Sequence, residues 1–303
     1  MFRCQRTLQE RVEFEGVGLH TGYPVRLAIL PAPPDTGIRF RRTDLRNFEI
    51  EAVRAHVAKV SYATTLMKKG VMIATVEHVL STLYGLGIDN VRVEVDGPEV
   101  PGMDGSAASF VHLLRAAGLF EQAAFRRVLR VRRPLEIRDG ERWIRIEPAL
   151  GLRISYAIDF AHPLIGRQQL HGLVLDEEGF DRELSRARTF GFAEQVEALW
   201  RSGRARGASL DNTVVLGADR VLNRDGLRWP DEFVRHKALD LVGDLALLGV
   251  RVQGHIRVER GGHALHQRLV AALASLMAAE RLPLDAPVRP ASPIALPGAI
   301  SSL

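Results

Sequence analysis

The chain lacks the features that would place it in several large classes. Among its 303 residues there is one cysteine, Cys4. That excludes an internal disulfide framework and a cysteine-based zinc site, and it fits a reducing compartment. No uninterrupted apolar run reaches the ~20 residues of a membrane helix, and the opening MFRCQRTLQERVEFEG has no apolar signal core. The expectation is a cytoplasmic protein with no integral membrane segment. No Gly-x-Gly-x-x-Gly or P-loop pattern opens a helix after a strand, so a dinucleotide or nucleoside-triphosphate site of those kinds is not expected. Aromatic residues make up 6% of the chain. The net charge of +5 favours an anionic partner. The basic clusters, Arg126, Arg127, Arg130, Arg132, Arg133 and then Arg201, Arg204, Arg206, are not interleaved with aromatics as in a single-strand binder. Nucleic acid is not the expected partner.

What is present is an ordinary globular composition, 46% hydrophobic and 25% charged, long enough for one large domain or two medium ones. Alternating stretches such as VRLAIL, INVRVEVDG without its Asp89 break, WIRIEP and LRISYAIDF read as strands. GLHTG at 18–22 reads as a turn, 75–86 as a helix capped by Thr75, and AASFVHLLRAAG as a helix capped by Ser106. Residues 119–127 show no strong pattern, and RTFGF at 188–192 reads as a loop. Strands and helices do not alternate one by one, so the fold class is α+β rather than a doubly wound parallel sheet. The order of strands, helix, strand and helix recurs. It suggests a duplicated unit, although no identity between the halves is visible. The division is a first domain at 1–125, a second at 126–285 and a tail at 286–303.

The segment DEFVRHKALDLVGDLALLG, 231–249, reads as a helix with two stripes. Val234, Ala238, Leu241, Val242, Leu245 and Leu248 face a core. His236, Asp240 and Asp244 recur every four residues, so they stack on one face. An imidazole and a carboxylate one turn apart can share a metal, or can form a plain solvated pair. The 75–86 helix offers Glu77-His78, adjacent residues about 100° apart, so a metal on His78 leaves Glu77 beside it. That is the relation of base to ligand in HExxH, although the second histidine position is Ser81 here. His236 with Asp240 fits as the missing ligands; the alternative is a satisfied buried histidine and a surface carboxylate. His263 in GGHA and His20 in GLHTG stand at junctions, either at a pocket mouth or as ordinary turn and helix-start residues. Arg188-Thr189-Phe190-Gly191-Phe192 sets a hydroxyl among aromatics, or else clasps two helices.

Taken together, GVGLHTG, RRTDL, TVEHVLSTLYGLGIDN, EVPGMDGSAASFV, SRARTFGF, NRDGLRWPDEFVRHKALDLVGDL and GGHALH resemble the UDP-3-O-acyl-N-acetylglucosamine deacetylases, zinc enzymes of lipid A synthesis in Gram-negative bacteria. The motifs run in order from residue 16 to residue 266. The resemblance implies two similar βααβ-type domains with their helices between two sheets, a small inserted sheet in the first and a βαβ insert in the second. It implies one Zn2+ per chain on His78, His236 and Asp240, with Glu77 as general base, His263 as the protonated acid, Asp244 holding His263, and Thr189 donating to the oxyanion. Lys237 would contact the sugar or phosphate end. Phe190 and Phe192 would border the sugar and the acyl passage, lined by Val196, Ala208 and Leu210. Asp159, Phe160, Arg142 and Arg260 would lie near the UDP, and His20 beside the substrate. The expected partner is a UDP-linked acylated sugar, and the expected state a monomer. Three competing readings are a zinc amidohydrolase of another N-acyl substrate, a non-catalytic protein with a closed structural metal site, and a basic nucleic-acid binder.

Overall fold

The computed structural model describes residues 4–279. The tail placed at 286–303, and the end of the second domain, lie outside the described residues. Six α-helices occur among the described residues: α1 (Glu77–Gly85), α2 (Ala108–Ala116), α3 (Glu177–Glu183), α4 (Val196–Arg201), α5 (Glu232–Ala246) and α6 (His263–Ala279). One sheet runs Val12–Val17, Pro24–Pro31, Val91–Val95, Ile38–Arg42, Phe48–Glu51 in spatial order. A second runs Leu135–Asp139, Arg142–Glu147, Arg251–Glu259, Leu152–Phe160, Gly166–Val174, with Val128–Arg130 added beside Arg251–Glu259. Read from the first strand of each sheet, neighbours are antiparallel, antiparallel, parallel and antiparallel in both. In both, the central strand is the last to enter and is flanked in sequence by two long helices, α1 and α2 or α5 and α6. The fold is α+β, and the recurring rhythm of the sequence corresponds to a repeated topology.

The extra elements also fall in matching places. After its fourth strand the first unit carries a three-stranded sheet, Val57–Lys59, Thr65–Lys68 and Val71–Ile73. At the corresponding point the second unit carries α3 and then a parallel pair, Phe190–Phe192 with Val214–Leu216, with α4 between the strands. RTFGF is therefore partly strand, not loop. Three residues are too short a run for periodicity to register.

A single apolar cluster joins Leu27, Ile29, Val91 and Val93 of the first sheet, Val79, Leu80 and Leu83 of α1, Leu241, Val242 and Leu245 of α5, and Ile144, Ile154, Ile256 and Val258 of the second sheet. The helices thus form a layer between the sheets. Every residue of α1 is buried, as are thirteen of α5. Ser106 lies just before α2 and accepts from the Ala108 amide at 3.1 Å. Thr75 does not cap α1. Its backbone is left-handed, φ 60°, and its hydroxyl donates to Glu99 at 2.7 Å. A β-branched residue rarely adopts that conformation; here the buried Glu99 holds it in place.

Leu119–Phe125, patternless in sequence, is a strand antiparallel to Cys4–Leu8. Its inward position is Gln122, which donates to the Ala32 carbonyl and accepts from Asn90, while Phe120 is exposed. Polar-in and apolar-out inverts the usual signal.

The backbones of α1 and α5 approach closely at Gly243 of α5. A β-carbon there would lie 2.2 Å from the Glu77 carbonyl oxygen of α1. Backbone packs on backbone, and any larger residue must push the helices apart. Gly243→Ala is expected to cost at least about 1–3 kcal/mol, as overpacked cores do. The midpoint of urea unfolding reads this; an unchanged midpoint would mean that the crossing has slack.

Candidate active site

The α1–α5 crossing brings the polar stripe of α5 against the start of α1. Among the described residues, His78, His236 and Asp240 form a buried group whose donor atoms all lie within 4.8 Å of one another. His236 Nε2 is 3.4 Å and His78 Nε2 3.9 Å from Asp240 Oδ1. Ligand atoms around a small tetrahedral cation are separated by roughly 3.3–3.6 Å, so the spacing suits a shared ion. The donor chemistry agrees. His236 Nδ1 lies 3.0 Å from the Ala187 carbonyl, so its proton sits there and Nε2 presents a lone pair to the centre. Burial, and then the neighbouring His236, pushes His78 down to about 3, and burial likewise lowers His236. Asp240 is resisted by burial, but Lys237 and the surrounding histidines hold it well below the usual carboxylate range. Two neutral imidazoles and one carboxylate form a site with a net negative charge, the form a divalent cation requires.

Glu77 and His263 face the same space. His263 Nε2 is 3.9 Å from Glu77 Oε1 and 3.8 Å from Asp240 Oδ2. Burial, assisted by Asp240, raises Glu77 to about 8; a cation beside it favours the ionised form. Burial alone would lower His263, but the Asp244 carboxylate, 2.7 Å from Nδ1, raises it to about 9. Asp244 takes four donors. His263 Nδ1 and His266 Nδ1 (2.9 Å) reach Oδ2, and Thr64 Oγ1 (2.6 Å) and Gln267 Nε2 (2.9 Å) reach Oδ1. Asp244, His263 and His266 also stand close enough to hold a metal. In this arrangement, however, their Nδ1–H groups are spent on the carboxylate, and His266 Nε2 accepts from the Tyr156 hydroxyl at 2.9 Å. This second group forms a hydrogen-bond network.

Of the other residues singled out from the sequence, Lys237 and Phe190 reach the donor group directly. Lys237 Nζ donates to Asp240 Oδ2 at 2.8 Å and lies 5.4 Å from the Phe190 ring centroid. Phe190 meets His236, Phe233, Phe192 and Phe160, and Phe192 also meets His162. Thr189 is half-buried. Its amide donates to the Gly105 carbonyl and its carbonyl accepts from Val214, which pins both sides of the residue. At the edge of the second sheet Arg260 pairs with Asp159 at 2.5 Å and with Glu141. Exposed Arg142 stands one step beyond the Trp143–Glu259 pair, beside them. Val196 begins α4, with Ala208 half-buried and Leu210 exposed in the chain that follows. His20 receives the Ala205 amide on Nδ1 at 3.4 Å, and Glu99 fixes its turn by accepting from the His20 and Thr21 amides.

Several contributors were not found from the sequence. Thr64 stands immediately before the Thr65–Lys68 strand of the inserted sheet, and its amide donates to Glu77 Oε2 at 3.0 Å. Nothing in its spacing marks it. Glu232, buried at the start of α5, binds Arg188 through its amide (3.0 Å) and Nε (2.9 Å), which holds the Ala187 carbonyl over His236. His266 could have been read from its place one turn after His263. A separate cavity of ≈ 370 Å³ lies by the C-terminal ends of α1 and α5, lined by Tyr84, Ile88, Asp89, Leu248 and Arg251 among others. Arg251 pairs there with Asp89, and among the described residues its lining contains no His–carboxylate donor group.

The fold and this site define a class: an α+β hydrolase with a carboxylate and an imidazolium set beside a His/His/Asp group that could hold a metal. The model of the UDP-3-O-acyl N-acetylglycosamine deacetylase family matches residues 5–275. A UDP-3-O-acyl-N-acetylglucosamine deacetylase of Myxococcus xanthus is 50% identical over 267 residues, 88% of this chain and 85% of that protein. One of Solibacter usitatus is 50% identical over 269 residues, 89% of this chain and 90% of the other. One of Anaeromyxobacter dehalogenans is 48% identical over 278 residues, 92% and 90% of the two chains. The chain belongs to this deacetylase family, and it is a hydrolytic enzyme.

If the centre is His78, His236 and Asp240, the protein binds about one equivalent of Zn2+ or Co2+ per chain. His236→Ala should lose it on dialysis while Asp244→Asn keeps it, read as metal content. Loss in Asp244→Asn alone would place the ion in the other group.

Proposed function

We propose that the chain removes acetate from UDP-3-O-acyl-N-acetylglucosamine, leaving UDP-3-O-acyl-glucosamine, as the committed step of lipid A synthesis, with one Zn2+ on His78, His236 and Asp240. The observation that carries this reading is the placement of Glu77 Oε1 and His263 Nε2 opposite one another beside that donor group. Zinc, when bound, acidifies water and polarises the amide carbonyl. Glu77 takes the proton of the attacking water as oxygen bonds to the carbonyl carbon. Its Oε2 is held by the Thr64 amide, so Oε1 is the basic atom. His263, kept protonated by Asp244, gives its Nε2 proton to the sugar nitrogen as the carbon–nitrogen bond breaks. Acetate and the free amine leave. Thr189 donates its hydroxyl to the developing oxyanion, a preorganised contact made at the stage where charge forms.

Lys237, with Phe190 and Phe192, receives the sugar. Arg142, Asp159, Phe160 and Arg260 receive the uridine diphosphate, with His20 at the substrate's side, and Val196, Ala208 and Leu210 line the acyl passage. Phe160 packing on Phe190 makes the second and first of these groups continuous with the metal ligand His236. The proposed division is a first domain at 1–125, carrying the base and one ligand, and a second at 126–285, carrying the other two. Among the described residues no helix is long and apolar enough to cross a membrane. We place the enzyme in the cytoplasm as a monomer, where nucleotide-linked sugars are handled, with no nucleic-acid partner.

Acetate release from UDP-3-O-acyl-GlcNAc of varied acyl length tests the reaction. Glu77→Gln should retain the metal and lose about 10²–10⁴-fold in kcat, the usual contribution of a general base; an unchanged rate would remove Glu77 from the mechanism. The acid must be protonated, so kcat/KM should fall as pH rises through about 9. Asp244→Asn removes the charge that raises His263, and should move that limb to lower pH. A limb that stays put in Asp244→Asn would assign it to another group.

A further inference from the structure

We infer that Thr64 is a positioning residue that sets the base and the acid of the site in register with each other. The inference rests on the deacetylase reading above and concerns a residue outside both helices that carry the site. Thr64 stands immediately before the Thr65–Lys68 strand of the small inserted sheet. It has no exposed surface, so it does not touch the substrate. Its amide donates to Glu77 Oε2 at 3.0 Å. Its hydroxyl donates to Asp244 Oδ1 at 2.6 Å and lies 3.2 Å from His263 Nδ1. His263 Nδ1 in turn lies 2.7 Å from Asp244 Oδ2. The hydroxyl therefore closes a three-membered ring with the carboxylate and the imidazole. The amide of the same residue, a fixed distance away, holds the base. A shift of either carboxylate relative to the other strains one of the two bonds.

The hydroxyl is the separable part. Valine keeps the shape and the amide but leaves Asp244 Oδ1 with Gln267 as its remaining partner, and removes the hydroxyl that ties the carboxylate and His263 to the residue holding Glu77. Serine restores the donor. A hydrogen bond to a charged group lost in this way corresponds to about 10–100-fold in rate when it is expressed in the transition state. Steady-state acetate release from UDP-3-O-acyl-GlcNAc by the zinc-loaded parent, Thr64→Val and Thr64→Ser makes the test. In Thr64→Val kcat should fall about 10–100-fold with KM within about threefold of the parent, while Thr64→Ser stays within about threefold on both. A valine variant with the parent kcat, or a serine variant as slow as valine, overturns the inference. Should valine prevent folding, alanine against serine carries the same comparison. A parent chain that releases no acetate would instead sink the deacetylase reading. The positioning is then read from the downfield imidazole N–H resonances of His263 and His266, which Thr64→Val should move and Thr64→Ser should not. Resonances unmoved by valine overturn it.

Discussion

The site depends on two helix backbones touching. At Gly243 the α5 backbone comes so near the Glu77 carbonyl that no β-carbon fits. That contact sets the stripe of His236, Asp240 and Asp244 against Glu77 and His78. The grouped side chains His78, His236 and Asp240 thus come from elements about 160 residues apart in the chain, joined by a contact with no side chain in it. The apolar faces of both helices, in one core with both sheets, keep the contact closed.

Charges held in such a place have few ways to be stable. Glu77, Asp240, Asp244, His78, His236 and His263 are all buried. A buried charge is tolerated when paired and hydrogen-bonded, and is otherwise costly. The structure answers this locally. Asp244 accepts four donors, Asp240 takes Lys237, and Glu77 takes the Thr64 amide. The resulting pKa pattern separates the two groups that face each other. His263 is stabilised as a cation by Asp244, while burial favours the protonated form of Glu77. Two titratable groups pushed to complementary states are the requirement for moving a proton in at one atom and out at another.

The fold was legible where periodicity was strong. α5, α6, Val91–Val95 and Leu152–Phe160 have apolar faces that mark them from residue spacing alone. The donor pair His236 and Asp240 was legible too, because a helix converts a spacing of four into proximity. The link to His78 was legible only as one of two alternatives, since no spacing rule reaches across 158 positions; the Glu77-His78 pair suggested it and the resemblance of motifs then implied it. Thr64 and Glu232 were invisible for a different reason. Each acts through backbone groups or buried hydrogen bonds, which leave no pattern in a single sequence. The strand Leu119–Phe125 was missed because Gln122 points in and Phe120 out, and the short strand Phe190–Phe192 because three residues carry no period.

The proposed cation is shared by α1 and α5, with the Asp244 network standing behind it. An anomalous difference map at the zinc edge, from crystals grown with Zn2+, tests it most directly. One peak is expected, about 2.0–2.2 Å from His78 Nε2, His236 Nε2 and an Asp240 oxygen, with none at Asp244, His263 and His266. A peak in that second group, or a fourth protein ligand closing the first, would contradict it.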